Sequence, residues 1–320
     1  MREYLKLEEF EQLKRAYQEE NDRYDETVIF HVGSEAGFYS EVGSMLECMC
    51  FCHMHKKKFV LYADDANFTS GKGWNVFFDT FCRMDHNPLN HKYNLRYPVE
   101  SKFALWNQKR LLKKSKANYL TNEFFQEFIS SEFKKQQIDW PLFDMHGTVY
   151  PEMAKLMKLA LRYREDVYQE ILSLIDTVQL PQHYMSIQMR GGDKIEERTK
   201  LYGALDCIQR IERTKMKVKD LFVFTDDYRN IETLKKERPE WNIYTLTGKE
   251  ETGYNNGEFN ARKWKEKRKD LIKMFAMVEI CINSDMHFGN EHSCANNIIM
   301  NSKKNGQYYP LISFEEDRLK

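Results

Sequence analysis

Length, composition and charge bound the class of this protein before any motif is considered. The chain has 320 residues, about twice a typical domain, which predicts two domains. It carries 49 Lys plus Arg against 49 Asp plus Glu, and this balance argues against a dedicated nucleic-acid binder. Because 42% of the residues are apolar, we expect a folded rather than a disordered chain. The mean hydropathy is −0.71 and no apolar run approaches about twenty residues, which argues against an integral membrane segment.

The first half of the chain predicts a strand–helix–strand unit preceded by a charged helix. Residues 5–22 have a helical pattern and are expected to lie on the surface. Strands are predicted at 27–32 and 58–62, with a mostly apolar helix at 41–55 between them. Three further helices are predicted at 100–116, 121–136 and 156–175.

The second half alternates strands and helices, as a doubly wound sheet does. Strands are predicted at 185–189, 221–224, 241–245 and 286–289. The intervening and following helices are predicted at 202–214, 231–238, 262–279 and 293–301. Leu180-Pro181 ends the helical pattern that precedes it, so we place the domain boundary near residue 179.

The cysteines predict buried thiols rather than a metal site. Cys48, Cys50 and Cys52 lie close together in sequence beside His53 and His55, all of them metal-capable residue types. On a helix, however, Cys48 and Cys52 share a face while Cys50 points elsewhere, and no second pair at zinc spacing completes a site. The odd count of seven cysteines in a long chain favours a reducing compartment such as the cytoplasm.

The strongest local motif is an Arg-Gly-Gly-Asp-Lys turn that begins at Arg190, directly after the strand at 185–189. A glycine-containing turn at the carboxyl end of a strand leaves backbone N–H groups free, and an arginine there can bind a phosphate through two charge-assisted hydrogen bonds. The turn matches neither of the common glycine-rich nucleotide motifs. The alternative is a tight turn with a surface arginine.

Polar residues also follow the other predicted strands. Asp226 and Asp227 come directly after the strand at 221–224, where α/β proteins place functional groups; the alternative is that they cap the next helix. Ser293 begins the last helix, where an anion could bind or where the serine could act as an N-cap. The Asp64-Asp65 pair could hold a divalent ion, although such a dipeptide is common.

The isolated histidines and the basic runs are assigned no function. We interpret three histidines as structural or exposed: His31, His146 and His287. Four basic runs, at 56–58, 113–114, 213–219 and 262–269, are interpreted as solvated helix faces or strand flanks rather than as a nucleic-acid surface.

Taken in this order, the motifs resemble the α1,2/α1,6/protein-O-fucosyltransferase group, and most of all the α1,6-fucosyltransferases. The family's His-x-Arg-Arg-x-Asp-Lys stretch is similar to residues 188–194. Its strand followed by Thr-Asp-Asp is similar to residues 223–227, and its late serine-containing turn to residues 287–294. The glycine-led loop at 36–41 and the Gly73-Trp74 pair are also similar, so that the resemblance spans most of the chain.

The resemblance implies an α/β fold of the GT-B type, with two Rossmann-like domains facing a cleft. Residues 1–178 would form the acceptor-side domain and residues 179–320 the domain that binds the nucleotide sugar. The implied activity is an inverting, metal-independent transfer of fucose from GDP-fucose to a glycan hydroxyl in the synthesis of surface glycans. The implied partners are a sugar nucleotide and an oligosaccharide or glycan acceptor, with no cofactor, no metal and no nucleic acid. We expect a cytoplasmic enzyme, with peripheral attachment to a membrane as an alternative.

The same resemblance assigns roles to individual residues. Arg190 would hold the β-phosphate in place of a metal, and Glu197 or Glu196 is the closest equivalent of the catalytic base. Asp193 and Lys194 would support that region. The residues implied in donor binding are Gln188, Arg190, Tyr202, Asp226, Asp227, Ser293 and Cys294.

Two departures from the family pattern leave other functions open. Gln188 stands where the family has histidine, and Gly191 replaces its second arginine. These changes favour, as alternatives, a transferase that uses another sugar nucleotide or a non-catalytic protein that binds one. A metal-dependent GT-A transferase that uses Asp64-Asp65 or Asp226-Asp227 is a further alternative.

Overall fold

The computed structural model describes residues 6–33, 36–71, 73–128, 132–191, 203–291, 293–304 and 306–312. Their contacts divide the chain into an N-terminal unit that ends at Arg164 and a C-terminal unit that begins at Glu165. The division falls before the boundary expected near residue 179. The helix Glu165–Asp176 lies in the C-terminal unit because it packs against the helix Trp264–Asn283.

The N-terminal unit contains helices and short parallel and antiparallel strands. Its helices are Leu7–Asn21 (α1), Phe38–Met54 (α2), Asn90–Tyr93 (α3), Lys102–Ser115 (α4), Thr121–Phe128 (α5), Val149–Glu152 (α6) and Met157–Ala160 (α7). Its strands are Glu26–His31 (β1), Lys57–Tyr62 (β2), Gln137–Trp140 (β3) and Met145–Thr148 (β4). Single 3-10 turns lie at Trp74–Val76, Phe133–Lys135, Pro141–Phe143 and Met153–Leu156.

The predicted strand–helix–strand unit is present at the start of this unit. β1 and β2 pair in parallel from Glu26 opposite Lys57 to His31 opposite Tyr62, with α2 as the connection. Both strands bury their apolar residues, as strands covered on both faces do. α1 lies on the surface with most of its residues exposed or half-buried, and it packs on the unit through the buried Phe10 and Tyr17.

The long helix predicted at 156–175 is broken in the structure. The residues after α7 run extended, where Tyr163 forms a β-bridge with Phe78 and the backbone N–H of Arg164 donates to the Phe77 carbonyl oxygen at 3.0 Å. The Tyr163 and Phe78 rings stack with centroids 5.1 Å apart. Tertiary pairing and ring stacking therefore override the helical periodicity of this segment.

The C-terminal unit is a Rossmann-like parallel sheet with helices. Its strands are Met185–Met189 (β5), Asp220–Thr225 (β6), Asn242–Tyr244 (β7), Met286–Asn290 (β8) and Tyr308–Ile312 (β9). Its helices are Glu165–Asp176 (α8), Ala204–Arg213 (α9), Tyr228–Glu237 (α10), Asn256–Ala261 (α11), Trp264–Asn283 (α12) and Cys294–Ser302 (α13). The strand order is β7-β6-β5-β8-β9, and every neighbouring pair is parallel.

Alternating side chains of β5 face two different environments. Ile187 and Met189 belong to a buried apolar cluster that includes Ile208 of α9 and Ile231 of α10. Ser186 and Gln188 point to the opposite face, because side chains alternate along a strand. α12 packs against β5 and β6 and lies on that opposite face, since its Cys281 contacts the Ser186 hydroxyl.

Three strands of the structure were not predicted from the sequence, namely β3, β4 and β9. β3 and β4 are four residues each, and β9 contains Pro310, so none gives a clear strand pattern. Within the described ranges, no helix combines the length and the apolar character that a membrane crossing requires.

Candidate functional site

The strand order of the C-terminal sheet creates a switch point between β5 and β8. From β5 the chain builds outward through β6 and β7, and then returns to add β8 and β9 on the other side. The segments that follow β5 and β8 therefore leave the sheet in opposite directions. Ligands of open α/β sheets bind at the carboxyl edge beside such a point. Arg190 follows β5 at this edge, and Ser293 follows β8.

Asp226 fixes the turn that carries Arg190. Its Oδ1 accepts a hydrogen bond from the Gly191 backbone N–H at 2.7 Å, and its Oδ2 accepts from the Tyr254 backbone N–H at 3.2 Å. Arg190 Nε lies 3.7 Å from the same Oδ2, an ion pair too long for a hydrogen bond. The carboxylate of Asp226 thus ties together the ends of β5 and β6 and the loop at Tyr254.

The guanidinium of Arg190 is held in position but retains hydrogen-bond donors without partners. It lies over the Tyr254 ring, 6.0 Å from the centroid, and its side chain is 23% exposed. Its buried Nε has no hydrogen-bond partner among the described residues. A guanidinium offers five donors, so this arginine retains donors for a bidentate anion.

Gly191 explains why a second arginine is missing from this turn. A Cβ on Gly191 would lie 3.2 Å from the Asp227 Cβ and 3.4 Å from Asp226 Oδ1. A side chain at this position would require one of the two aspartates to move by a few tenths of an ångström. Close packing of the two strand ends accordingly favours glycine here.

Asp227 serves the helix that follows it. Its carboxylate accepts a hydrogen bond from the Arg229 backbone N–H at 3.0 Å as the N-cap of α10, and two further bonds from Arg229 Nε at 2.9 and 3.0 Å. These bonds from Arg229 hold the pKa of Asp227 below its usual range. The capping alternative is therefore what the structure shows for Asp227, and its role in donor binding stays a prediction.

The start of α13 carries a free hydroxyl. Ser293 is the N-cap residue of α13, yet its side chain makes no capping hydrogen bond. Its Oγ is buried and has no partner among the described residues. Cys294, the first residue of the helix, is an exposed free thiol. Helix N-termini offer unpaired N–H groups to anions, and the Ser293 hydroxyl adds another donor to that group.

Gln188 adds a buried amide without a partner. The residue is 3% exposed, and neither its Oε1 nor its Nε2 has a hydrogen-bond partner among the described residues. Leaving a buried amide unpaired costs about 1–3 kcal/mol, and an ordered water or a bound ligand would remove that cost. The amide offers both a donor and an acceptor, which a base or a ribose could use.

A buried polar network holds β8 and α13 together. Its hydrogen bonds were not predicted from the sequence. His287 Nδ1 lies 2.7 Å from Ser186 Oγ, and its Nε2 lies 3.1 Å from Asn296 Oδ1. The Asn296 amide in turn donates to the Tyr308 hydroxyl at 3.0 Å. Burial lowers the pKa of His287 to about 3, so its ring is neutral at physiological pH. The ring links β5, β8 and α13 and is structural, as predicted for an isolated histidine.

Gly289 lets α13 approach β8 closely. A Cβ at this position would lie 2.1 Å from Asn296 Oδ1 and 2.7 Å from the Tyr308 hydroxyl oxygen. Both of those atoms are held by the hydrogen bonds just described, so neither can move away freely. The position of Ser293, a few residues before Asn296, depends on this close approach.

The remaining predicted site residues lie outside the described residues. They are Asp193, Lys194, Glu196, Glu197 and Tyr202. Their roles as base, supporting groups and donor contact stay predictions.

The N-terminal unit carries a second polar edge, where the two aspartates after β2 each orient a histidine. His86 Nδ1 lies 3.0 Å from both carboxylate oxygens of Asp64, and His91 Nδ1 is hydrogen bonded to Asp65 Oδ2. His91 and His86 are largely exposed, and neither Nε2 has a hydrogen-bond partner among the described residues. An aspartate at Nδ1 orients each ring and leaves Nε2 available for a further hydrogen bond.

His31 belongs to this edge and is not isolated. Its Nε2 lies 3.0 Å from Asp65 Oδ1, and its Nδ1 lies 2.9 Å from the Asn94 carbonyl oxygen. The two contacts, to the Asp65 carboxylate and to the Asn94 carbonyl oxygen, fix the orientation of the buried ring. Partial burial opposes ionisation of Asp65, but the bonds from His31 and His91 outweigh it and lower the pKa of Asp65 to about 2.

The metal-capable residues do not converge in the part of the chain that the structure describes. There, no group of three or more His, Cys, Asp or Glu side chains is arranged to hold an ion. Cys48, Cys50 and Cys52 are buried in α2, as predicted, and burial raises the pKa of the Cys50 thiol.

Comparison with solved structures identifies the fold. A structure of NodZ α1,6-fucosyltransferase soaked with GDP-fucose matches over 87% of this chain and 93% of its own, with 11% identity and a TM-score of 0.52. Fucosyltransferase NodZ from Bradyrhizobium matches over 86% and 93%, with 11% identity and a TM-score of 0.51. A structure of POFUT1 in complex with GDP covers 89% of this chain and 97% of its own, with 12% identity and a TM-score of 0.46.

Comparisons that use the sequence alone find no match. No protein-family profile matches the chain, and no curated protein matches it. The likeness therefore concerns the backbone, and it confirms the predicted fold: the chain is a mixed α/β protein with parallel sheets and the GT-B fold of the fucosyltransferases that NodZ represents.

Proposed function

We propose that this protein is an inverting glycosyltransferase that transfers fucose from GDP-fucose to a hydroxyl of a glycan. The observation that carries the proposal is the switch point of the C-terminal sheet. Arg190 and Ser293 lie there with unpaired donors, at the edge where open α/β sheets bind ligands. A fixed guanidinium and a helix N-terminus are the groups that a diphosphate requires.

The chemistry follows from these groups. The acceptor oxygen attacks the anomeric carbon of the donor sugar, the bond from that carbon to the β-phosphate oxygen breaks, and GDP leaves with the electron pair. Negative charge grows on the leaving phosphate, so the Arg190 guanidinium stabilises the transition state more than the bound donor. This is the work that a metal ion does in metal-dependent transferases, and the proposal therefore includes metal independence.

The acceptor proton needs a base, which we assign to Glu197 or Glu196. This assignment rests on the family resemblance, as do the supporting roles of Asp193 and Lys194. Glu197→Gln and Glu196→Gln should each be tested for transfer and for GDP binding. The base is identified by the variant that loses transfer while it still binds GDP.

We assign acceptor binding to the N-terminal unit. The paired aspartates and histidines at its sheet edge support this assignment, because the Nε2 atoms of His86 and His91 can form hydrogen bonds with sugar hydroxyls, which both donate and accept. Carboxylates behind both rings disfavour anionic ligands and suit a neutral glycan. His91→Ala should raise the KM for the acceptor and leave the KM for GDP-fucose unchanged.

Release of GDP from GDP-fucose in the presence of an acceptor tests the proposed function. We expect release that is insensitive to EDTA and abolished by Arg190→Ala. Full activity of Arg190→Ala, or strong stimulation by Mn²⁺, would contradict the proposal.

A second candidate is a transferase that uses another sugar nucleotide. The unpaired amide of Gln188 and the glycine at position 191 favour it, since both differ from the family pattern at the donor edge. Competition binding of GDP against UDP and CMP separates the two candidates. Binding of GDP without turnover against a panel of glycans would instead indicate a non-catalytic binding protein.

A further inference from the structure

The helix α4 has its apolar and polar residues in unusual places. Its buried residues are Asn107, Gln108 and Leu111. Its exposed residues include Phe103, Leu105 and Trp106, which are 67%, 44% and 57% exposed. A surface helix of a globular protein normally turns its aromatic side chains inward, so this arrangement points to a partner outside the fold.

Contacts within the fold explain why the amide side chains face inward. The Gln108 side-chain amide donates to the Tyr93 carbonyl oxygen at 2.9 Å, and the Asn107 amide donates to the Phe103 carbonyl oxygen at 3.0 Å. Ser115, at the end of the helix, donates to Asp85 Oδ2 at 2.9 Å. The Gln108 and Ser115 contacts and the burial of Leu111 therefore anchor α4 to the rest of the fold, whereas the Asn107 bond lies within the helix.

The exposed aromatic side chains form a coherent patch. The Phe103 and Trp106 rings lie 6.4 Å apart with an interplanar angle of 27°, and the Tyr93 ring packs edge-on against Phe103. Tyr97, in the segment that leads to the helix, is 64% exposed. The patch lies mainly in the first half of α4.

The rest of the exposed face is strongly basic. Between Ser101 and Asn122 the chain has no Asp or Glu and has the following cations, all exposed: Lys102, Lys109, Arg110, Lys113, Lys114 and Lys116. The ion pairs formed among the described residues involve none of these six. In a chain whose formal net charge is zero, this is a local concentration of unpaired positive charge.

We propose that α4 binds the surface of an anionic lipid bilayer. Phe103, Leu105 and Trp106 would enter the headgroup region, and the lysines and Arg110 would lie against the lipid phosphates. Tryptophan rings favour the headgroup level of a bilayer, and clusters of Lys and Arg on a helix are attracted to anionic lipids. Each Lys or Arg near such a surface strengthens binding by roughly fivefold.

The composition of the face argues against a carbohydrate as its occupant. Sugar hydroxyls are recognised by carboxylates and amides beside aromatic rings. On α4 the amides are turned inward and carboxylates are lacking, so only stacking would remain. A bilayer surface needs neither group and matches the charge.

Co-sedimentation with vesicles tests the proposal on the full chain. We expect the protein to bind vesicles that contain phosphatidylglycerol, to bind phosphatidylcholine vesicles at least about tenfold more weakly, and to be released by salt. Lys109→Glu/Lys113→Glu should weaken binding to the anionic vesicles by at least about tenfold. The matched control is Lys265→Glu/Lys269→Glu, which removes two exposed lysines at the same spacing on α12 and should bind as the parent does.

The aromatic part of the face is tested separately. Phe103→Ser/Trp106→Ser should lose most binding to the anionic vesicles. Because both side chains are exposed, this double variant should still fold, and circular dichroism verifies that it does. Anionic vesicles should also shift the tryptophan emission of the parent to the blue, and Trp106→Phe should remove that shift while it retains binding.

Equal binding to both vesicle types, no binding to either, or unchanged binding of Lys109→Glu/Lys113→Glu or Phe103→Ser/Trp106→Ser would overturn the proposal. Loss of transfer to a water-soluble acceptor in Phe103→Ser/Trp106→Ser, with vesicle binding intact, would show instead that the patch binds carbohydrate. Because vesicle binding needs no donor, the result does not depend on the proposed transferase activity.

Discussion

The carboxyl edges of the two parallel sheets differ in how their polar side chains are satisfied. In the C-terminal unit, Gln188, Arg190 and Ser293 have buried polar atoms without partners among the described residues. In the N-terminal unit, His31 and Asp65 pair with each other, and Asp65 also accepts a bond from His91. Unpaired buried donors cost free energy in the empty protein, whereas paired ones stabilise it.

This difference predicts different effects of substitution at the two edges, on ligand binding at one and on the free energy of unfolding at the other. Substitutions of the unpaired Gln188, Arg190 and Ser293 at the C-terminal edge should impair ligand binding and leave the free energy of unfolding nearly unchanged. At the N-terminal edge, substitutions in the buried pair should lower the free energy of unfolding. Activity assays and unfolding measurements on substituted proteins test this separation.

Arg190→Ala should reduce kcat/KM for transfer from GDP-fucose by about a hundredfold or more, because the leaving phosphate loses its fixed cation. Its Tm should stay within a few degrees of the parent, since the Nε of Arg190 makes no hydrogen bond in the described part of the chain. The matched control is Arg229→Ala at the same edge, where the arginine binds Asp227. Equal losses of activity in both variants would contradict a specific role for Arg190.

Gly289→Ala should destabilise the protein by about 3 kcal/mol, because the added Cβ overlaps the Asn296 and Tyr308 side chains. Gly43→Ala, in the interior of α2 with no atom within 4 Å of its Cβ, should stabilise it by about 0.5–1 kcal/mol. Urea unfolding measures both changes. Little change in Gly289→Ala would mean that α13 is not held against β8 as described.

Asp65→Asn should lower the free energy of unfolding by about 2 kcal/mol at neutral pH, because the pKa of Asp65 is lowered to about 2 by its histidine partners. A carboxylate with a lowered pKa stabilises the fold above its ordinary pKa near 4, and that stabilisation is lost as pH falls towards 2. The difference between parent and variant should therefore shrink between about pH 4 and pH 2. Urea unfolding at a series of pH values gives this difference; a constant value across that range would contradict the ion pair.

Cys294 should be the thiol that alkylates under native conditions, because the other six cysteines are buried. Saturating GDP should slow its modification several-fold if the diphosphate binds beside Ser293 at the start of α13. Mass spectrometry after brief treatment with iodoacetamide measures the rate at each cysteine. A rate at Cys294 that GDP leaves unchanged would place the diphosphate elsewhere.

Much of the fold could be predicted from the sequence because its main strands are short apolar runs that end in polar turns. The strands at Lys57–Tyr62, Met185–Met189 and Asp220–Thr225 were predicted within two residues of their observed ends. The hairpin of β3 and β4 could not be predicted, because neither strand has a clear apolar run. The break before α8 could not be predicted either, because it depends on pairing with the distant Phe77 and Phe78.

The candidate site was predicted only in part, for a similar reason. Arg190 could be named because it directly follows a strand, and Ser293 because it begins the helix after the next strand of the edge, and both boundaries are visible in sequence. The clamp of Asp226 on Gly191, and the links from His31 and His91 to Asp65, join residues far apart in the chain. Such contacts follow from strand order, which periodicity and composition do not determine.

The most direct test of the account is the affinity of the intact protein for GDP, measured by isothermal titration calorimetry on the parent and on Arg190→Ala. We predict that the parent binds GDP more tightly than UDP or CMP, and that Arg190→Ala binds GDP at least about tenfold more weakly while its Tm without ligand is unchanged. Absence of GDP binding in the parent, or equal affinity in the two proteins, would contradict the claim that the edge between β5 and β8 binds the nucleotide.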